Sequence, residues 1–379
     1  MSEIRVNTLG NESNTGGPVL SGITTFSGQQ YFIPPTGTTA ERPSECPPGS
    51  IRFNTDSAHL EYWNGLVWLE FEASSEELGD HNASSGESRG GTGVRGIFAG
   101  GNAPSLTNTI EYVSIPTLGD AQDFGNLTQT AYAAAGGCAS RTRGIRAGGI
   151  DGGGKTDTID YVTIASTGDA IDFGNLIQVI GQLSALSNQT RGIFAGGYTP
   201  TAQNQIQSIE IASTGNAVDF GNLLAAAYGG AATSSSVRGV IMSGYAGGNV
   251  NTVQYITIST TGHALDFGDL TSARHYPATV FNATRSVFGG GSGNSNIIEF
   301  FTTATTGNAQ DFGDLVTGSA AAFGMSSPTR GLFAGGNTPS FTNRIEFITI
   351  QTTGNGTDFG DMTTATAGAA SFSNGHGGL

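Results

Sequence analysis

Lysine is nearly missing from this chain: Lys155 is the only one among 379 residues. With 15 basic side chains against 30 acidic ones, the formal net charge is −15. Nucleic-acid binding needs a basic footprint that displaces counterions from phosphates, and none is visible here. An anionic membrane surface is disfavoured on the same ground. No apolar run approaches the ~20 residues of a membrane span. The opening MSEIRVNTLGNES has neither the basic start nor the apolar stretch of a secretory signal. Cysteine is scarce too: Cys46 and Cys138 lie far apart in sequence and are expected as inert thiols, not a disulfide. The five histidines (His59, His81, His263, His275 and His376) form no HxH, HExxH or Cys–His grouping at metal spacing, and there is no GxSxG elbow. No carboxylate pair for glycoside hydrolysis stands out. These gaps point to a non-enzymatic chain with no cofactor and no metal. Charged residues make up 12% of the chain, half the ~25% usual for soluble proteins. The polar surface must therefore come from Ser, Thr, Asn, Gln and backbone groups, a composition suited to hydrogen bonding with sugars.

What the chain has in abundance is repetition. RGIFAGG at Arg95 returns at Arg143, Arg191, Arg238, Arg285 and Arg330 in varied form, with steps of 48, 48, 47, 47 and 45 residues. DFG recurs at Asp123, Asp172, Asp219, Asp266, Asp311 and Asp358. Between them come IEYVSI at Ile110, IDYVTI at Ile159, IQSIEI at Ile206, VQYITI at Val253, IEFFTT at Ile298 and IEFITI at Ile345. A period in the mid-forties with several short strand-like runs per unit marks a β-propeller or a similar array. Residues 268–315 predict four strands, at Tyr276–Phe281, Arg285–Gly290, Ile297–Thr303 and Ala309–Leu315, separated by Gly, Asn and Ser turns.

The recurrent residues have structural explanations. Glycine pairs at the end of the second run let backbones approach closely. No helix follows them, so they are not phosphate loops. DFG evokes the kinase metal motif, but it occurs six times without a nucleotide loop, a strand lysine or HRD. The recurrent Arg and the Asp of DFG suggest an Arg–Asp pair locking neighbouring strands. The six Phe residues of DFG (Phe124, Phe173, Phe220, Phe267, Phe312 and Phe359) are expected in the core between sheets. Asn82–Val94 is too poor in apolar residues to supply a first strand, whereas Thr363–Asn374 resembles one. The C-terminal segment should therefore complete the first unit, giving six blades without free edges between the chain ends.

With paired glycines ending the second strand and an aromatic on the third, the units resemble kelch repeats. The resemblance covers about Arg95–Leu379 and implies an all-β, six-bladed, galactose-oxidase-like propeller over 95–379. The units depart from kelch in carrying the Phe of DFG where a Trp is usual. The copper site of that fold needs Tyr, His and Cys around one metal, and Cys138, His263 and His275 do not supply it.

Residues 1–75 lie outside the period and hold both tryptophans. Leu60–Trp63, then Asn64-Gly65, then Leu66–Leu69 predict a hairpin with a two-residue type I′ turn. Three segments, IRVNTLGNESNTGGPVLSGITTFSG (Ile4–Gly28), GTTAERP (Gly37–Pro43) and GSIRFNTDSAHLEYWNGLVW (Gly49–Trp68), resemble the N-terminal module of phage virion proteins, especially tail and fibre proteins of marine cyanophages. The resemblance implies a β-rich attachment module to other virion proteins. Such a small region needs a partner or a trimer of itself to bury Tyr62, Trp63 and Trp68. Residues 76–94 read as a Ser/Gly-rich linker.

The turns TRG and STGNA vary little among the units, whereas the links at the other end differ in length and content, and binding tends to reside on varied loops of a rigid scaffold. Lys155, Tyr198, Tyr245, Arg274, His275 and Tyr276 are the candidate ligand residues there. The expectation is a virion structural protein, a tail fibre or tail-associated adhesin that recognises a host-surface glycan or protein. The alternatives are a capsid-decorating or purely structural tail component, and a polysaccharide depolymerase.

Overall fold

In the computed structural model, the described residues are 34–70 and 94–379, apart from positions 45, 58, 103, 104, 131 and 133–135. The segment Ile4–Gly28 and the stretch Glu72–Gly93 lie outside them. The chain divides into two compact units, Met1–Glu76 and Glu77–Leu379.

The first unit holds a four-stranded sheet of Thr36–Gly37, Ile51–Asn54, His59–Trp63 and Trp68–Glu70. The expected hairpin forms, but Trp63 pairs with Trp68, so four residues make the loop and not two. The Asn64 side chain is the reason. Its Oδ1 accepts from both Leu66 N and Val67 N at 2.8 Å, which closes a wider turn than type I′. With little apolar material available, the sheet buries a polar cluster instead. Glu61, fully buried, accepts from Arg42 at 2.6 Å and lies 3.4 Å from Arg52, while Asn54 donates to it at 3.2 Å.

The described residues of the second unit form six four-stranded antiparallel sheets and one two-stranded hairpin. In chain order of their second strands, the first contains Ala370–Ser373, Arg95–Ala99, Thr109–Ser114 and Gln122–Asn126. The second contains Gly136–Ala139, Arg143–Ala147, Thr158–Thr163 and Ile171–Asn175. The third contains Ser184–Ser187, Arg191–Ala195, Gln203–Glu210 and Val218–Ala227. The fourth contains Ala231–Ser234, Arg238–Met242, Thr252–Thr257 and Leu265–Asp269. The fifth contains Ala278–Phe281, Arg285–Gly289, Ile297–Thr302 and Gln310–Asp314, and the sixth Phe323–Ser326, Arg330–Ala334, Arg344–Thr349 and Thr357–Asp361. Among the described residues no single sheet closes on itself.

The C-terminal segment does complete the first sheet: Ala370 pairs with Ala99 and Ser373 with Gly96. The first strand of the fifth sheet starts at Ala278 and not at Tyr276, because Tyr276 takes φ +54 and Pro277 follows it. The six DFG phenylalanines are all buried, as expected.

The recurrent arginines do not pair with the DFG aspartates, which are exposed. Each reaches instead to a backbone carbonyl just past the third strand of the next sheet. Arg95 donates to Ile164 O at 2.9 Å, Arg143 to Ile211 O at 2.8 Å and Arg191 to Ile258 O at 3.0 Å. Arg238 donates to Ala304 O at 2.7 Å and Arg285 to Ile350 O at 2.9 Å, and Arg330 of the sixth sheet donates to Ile115 O of the first at 2.9 Å. The carbonyl leaves its own ladder there, and a guanidinium with five donors can satisfy it across the gap between sheets.

A second series uses a polar residue inside each third strand. Gln207 accepts from Ile177 N at 2.9 Å, Gln254 from Leu224 N at 2.8 Å, Glu299 from Thr271 N at 2.7 Å and Glu346 from Val316 N at 2.8 Å. Asp160 accepts from Thr128 Oγ1 at 2.6 Å, and Glu111 of the first sheet accepts from Thr363 N, after the sixth, at 3.4 Å. The third strands are buried over most of their length on both faces, so they do not alternate cleanly between apolar and polar, whereas the fourth strands are largely exposed.

Candidate functional site

The first strands of successive sheets contact one another in order, and Ala370–Ser373 also contacts Gly136–Ala139. They line a cavity of about 140 Å³, with Cys138, Ser184, Ala232, Thr279, Phe323 and Phe372 on its wall. Cys138 is a free thiol whose pKa burial pushes up, so it is not a poised nucleophile.

One end of the cavity is framed by backbone held in a left-handed conformation. Gln182, Gly229, Tyr276, Ala321 and Gly368 have φ of 62°, 61°, 54°, 55° and 66°. Each donates a hydrogen bond to the one before it: Gly229 N to Gln182 O at 3.0 Å, Tyr276 N to Gly229 O at 2.7 Å, Ala321 N to Tyr276 O at 3.1 Å, and Gly368 N to Ala321 O at 2.9 Å. For Gln, Tyr and Ala this conformation costs roughly 1–2 kcal/mol each. The chain of hydrogen bonds fixes it.

Outside this collar the two variable links of each unit meet. Tyr198 bridges Gly181, Tyr245 bridges Tyr228, Asn337 bridges Ala320 and Asn102 bridges Ala367. In the fifth sheet, Ser292 N donates to His275 O at 2.8 Å. The equivalent positions are filled unequally. On one side the rings run continuously: Tyr198 to Tyr228 at 5.1 Å between centroids, Tyr228 to Tyr245 at 5.2 Å, Tyr245 to His275 at 5.7 Å, and His275 to Tyr276 at 4.5 Å. Lys155 Nζ extends the row, 4.7 Å from the centre of the Tyr198 ring. In the second sheet Tyr132 bridges Ile150, and the positions of the sixth and first sheets carry Ala320, Asn337, Ala367 and Asn102.

Five of the six candidate ligand residues therefore meet in one arc, and Tyr228 joins them although sequence reasoning passed over it. Arg274 does not belong there. It is 2% exposed, is paired with the fully buried Glu299, and donates to Ile297 O at 3.4 Å. Its charge is already committed within the protein.

The polar groups of the arc are ordered by one another. His275 Nδ1 lies 2.7 Å from Asn249 Oδ1, which places the ring proton on Nδ1, and Asn249 Nδ2 donates to Ser292 Oγ at 3.1 Å. Burial lowers the pKa of His275 below its usual value, so the ring stays neutral near pH 7. Burial raises the Tyr276 phenol, with Tyr132 and Tyr228 adding to the effect. The arc thus offers aromatic faces, neutral hydrogen-bonding groups and one cation. Among the described residues no three His, Cys, Asp or Glu side chains gather as metal ligands.

The other end of the cavity is occupied by the C-terminal residues. His376 is buried there, Nε2 2.9 Å from Ala139 O, and its Nδ1 accepts from Gly378 N at 3.1 Å.

In the first unit, Trp63 and Trp68 face each other across the hairpin with ring centroids 5.7 Å apart, and Tyr62 pairs with Leu69. All three are half-buried, and the loop tip beside them exposes Leu66 and Val67 by 83% and 52%. No protein-family model and no curated protein matches the chain.

Proposed function

We propose that the second unit is a six-bladed, kelch-type β-propeller and that its aromatic rim binds a host-surface glycan or protein, within a tail fibre or tail-associated adhesin of a phage virion. The blade reading is supported by the hydrogen bonds that pass from each sheet to the next and from the sixth back to the first. The binding reading rests chiefly on one observation. A scaffold of six near-equivalent units places Tyr198, Tyr228, Tyr245, His275 and Tyr276 in one continuous row over the third to fifth sheets, Tyr132 and Ile150 in the second, and only Ala and Asn at the matching positions of the sixth and first. Packing that served the scaffold alone would recur in every unit. Aromatic faces flanked by amide and hydroxyl groups match the C–H faces and hydroxyls of sugar rings.

The first unit would attach the protein to other virion proteins, alone or as a homo-oligomer such as a trimer. Its exposed Leu66–Val67 tip and paired tryptophans support that role. The test is adsorption: particles carrying Tyr198→Ala together with Tyr245→Ala should bind host cells markedly less while assembling normally. Unchanged adsorption would refute the rim as the receptor site, and sugar release during binding would favour the depolymerase.

A further inference from the structure

We infer that the ligand of this rim is an anionic saccharide whose carboxylate or sulfate sits on Lys155. The inference rests on the glycan reading above and deepens it.

Lys155 is the only lysine of a chain with 30 acidic residues. The link that carries it pairs Ile150–Asp151 with Gly154–Lys155; it is one residue longer than the links bridged at Asn102–Leu106, Tyr198–Ala202, Tyr245–Asn249 and Asn337–Phe341, and it puts the lysine where those hold Leu106, Ala202, Asn249 and Phe341. Asp151 Oδ1 accepts from Gly153 N at 2.7 Å and shapes the hairpin tip. The other cations at this end are engaged: Arg146 lies 3.4 Å from Asp160, Arg274 pairs with Glu299, and Arg344 lies 3.7 Å from Glu346. Lys155 has no carboxylate within ion-pair distance among the described residues; its ammonium rests on the Tyr198 ring.

Magnitudes favour a local effect. The protein's net charge repels anions at long range, but salt screens that field beyond about 8 Å at physiological ionic strength. An anion at the hairpin therefore responds first to the ammonium beside it. His275, held neutral, adds no second charge. A saccharide chain could run along Tyr198, Tyr228 and Tyr245, whose rings follow one another at 5.1 and 5.2 Å, with its acidic group at the Lys155 end.

The test is calorimetric titration of the full chain with oligogalacturonate (carboxylate), heparin fragments (sulfate) and maltohexaose (neutral). At least one acidic ligand should bind more tightly than maltohexaose. Lys155→Ala should weaken that binding by roughly fivefold, the scale of one exposed charge pair, and reduce its salt dependence, whereas Lys155→Arg should preserve it. Binding in either acidic arm supports the inference and names the group. Equal binding of neutral and acidic ligands, or acidic binding untouched by Lys155→Ala, overturns the inference and leaves glycan recognition standing. Failure of all three ligands to bind, with host adsorption also unaffected by the tyrosine variants, overturns both.

Discussion

Acid should loosen the C-terminal tail through a single imidazole. His376 is 6% exposed, with Nε2 2.9 Å from Ala139 O and Nδ1 accepting from Gly378 N. A neutral imidazole has one donor and one acceptor, and both are used; a proton added at Nδ1 would oppose the Gly378 N–H, donor against donor. Burial lowers its pKa from 6.5 to about 4, a shift the Ala139 hydrogen bond only partly opposes. The folded state then binds fewer protons than the unfolded state between those two values. The stability tied to this group is complete above pH 6.5 and is lost as pH falls toward 4. At ~1.4 kcal/mol per pKa unit the whole shift amounts to about 3 kcal/mol, of which about 2 kcal/mol is gone by pH 5. If the tail detaches more cheaply than the sheets unfold, the loss is capped at that opening cost and appears as protease cleavage of the tail. His376→Gln keeps a donor and an acceptor without ionising, so it isolates the effect from other acid-titrating groups. Denaturation at pH 8 and pH 5 should show wild type losing about 2 kcal/mol more than the variant, or wild-type tail cleavage rising where the variant's does not. An imidazole NMR signal from His376 titrating near pH 6.5 would refute the argument.

Gly221 has φ +155, and a Cβ there would strike the Gly262 carbonyl of the next sheet, whereas a Cβ at Gly262 would meet nothing within 4 Å. Gly221→Ala should destabilise by roughly 3 kcal/mol and Gly262→Ala by less than about 1, compared by thermal denaturation. Burial raises the Glu111 carboxyl to about 7 against the opposing Thr363 hydrogen bond. The folded state therefore holds a proton that the unfolded state releases, and stability falls as pH climbs from 4.5 through 7. Glu111→Gln, with the amide already found at Gln207 and Gln254, should raise the melting temperature at pH 8 and change it little at pH 4.5. In the first unit, Glu61→Gln would leave Arg42 and Arg52 without their buried counter-charge. It should cost about 3 kcal/mol, read as increased protease susceptibility confined to that unit.

The period carried most of the architecture because every unit must meet two neighbours in the same way. Repeated positions such as the Phe of DFG or the paired glycines could therefore be assigned to packing from spacing alone. The partner of the repeated Arg could not. Sequence offers the Asp of DFG as the matching charge, whereas the guanidinium satisfies a backbone carbonyl such as Ile164 O, an acceptor no sequence displays. The acidic or amide residue inside each third strand was visible as an interruption of an apolar run. Its partner was not, because the hydrogen bond it makes reaches a backbone N–H of the preceding sheet, such as Ile177 N for Gln207.

The rim divides along a similar line. Tyr228 was lost in the Ala-rich stretch LLAAAYGG, which continues the long fourth strand Val218–Ala227. Arg274 and His275 are adjacent and look equally able to bind a ligand, yet their places in the unit differ. Arg274 stands four residues after Leu270, where the other sheets bury Ile180, Ala227, Ser319 and Thr366. His275 stands one step further, at the rim position of Tyr228 and Ala320. A cation at an inward position requires a carboxylate, and Glu299 supplies it. Arg146 repeats the pattern: it replaces the Phe found at Phe98, Phe194, Phe288 and Phe333, and Asp160 answers it. Position within the unit, more than residue type, separates a charge enclosed by the fold from one available to a ligand. By that criterion Lys155, at the outer link position held by Leu106, Ala202, Asn249 and Phe341 in other units, is a charge at this end that the fold leaves without a carboxylate among the described residues.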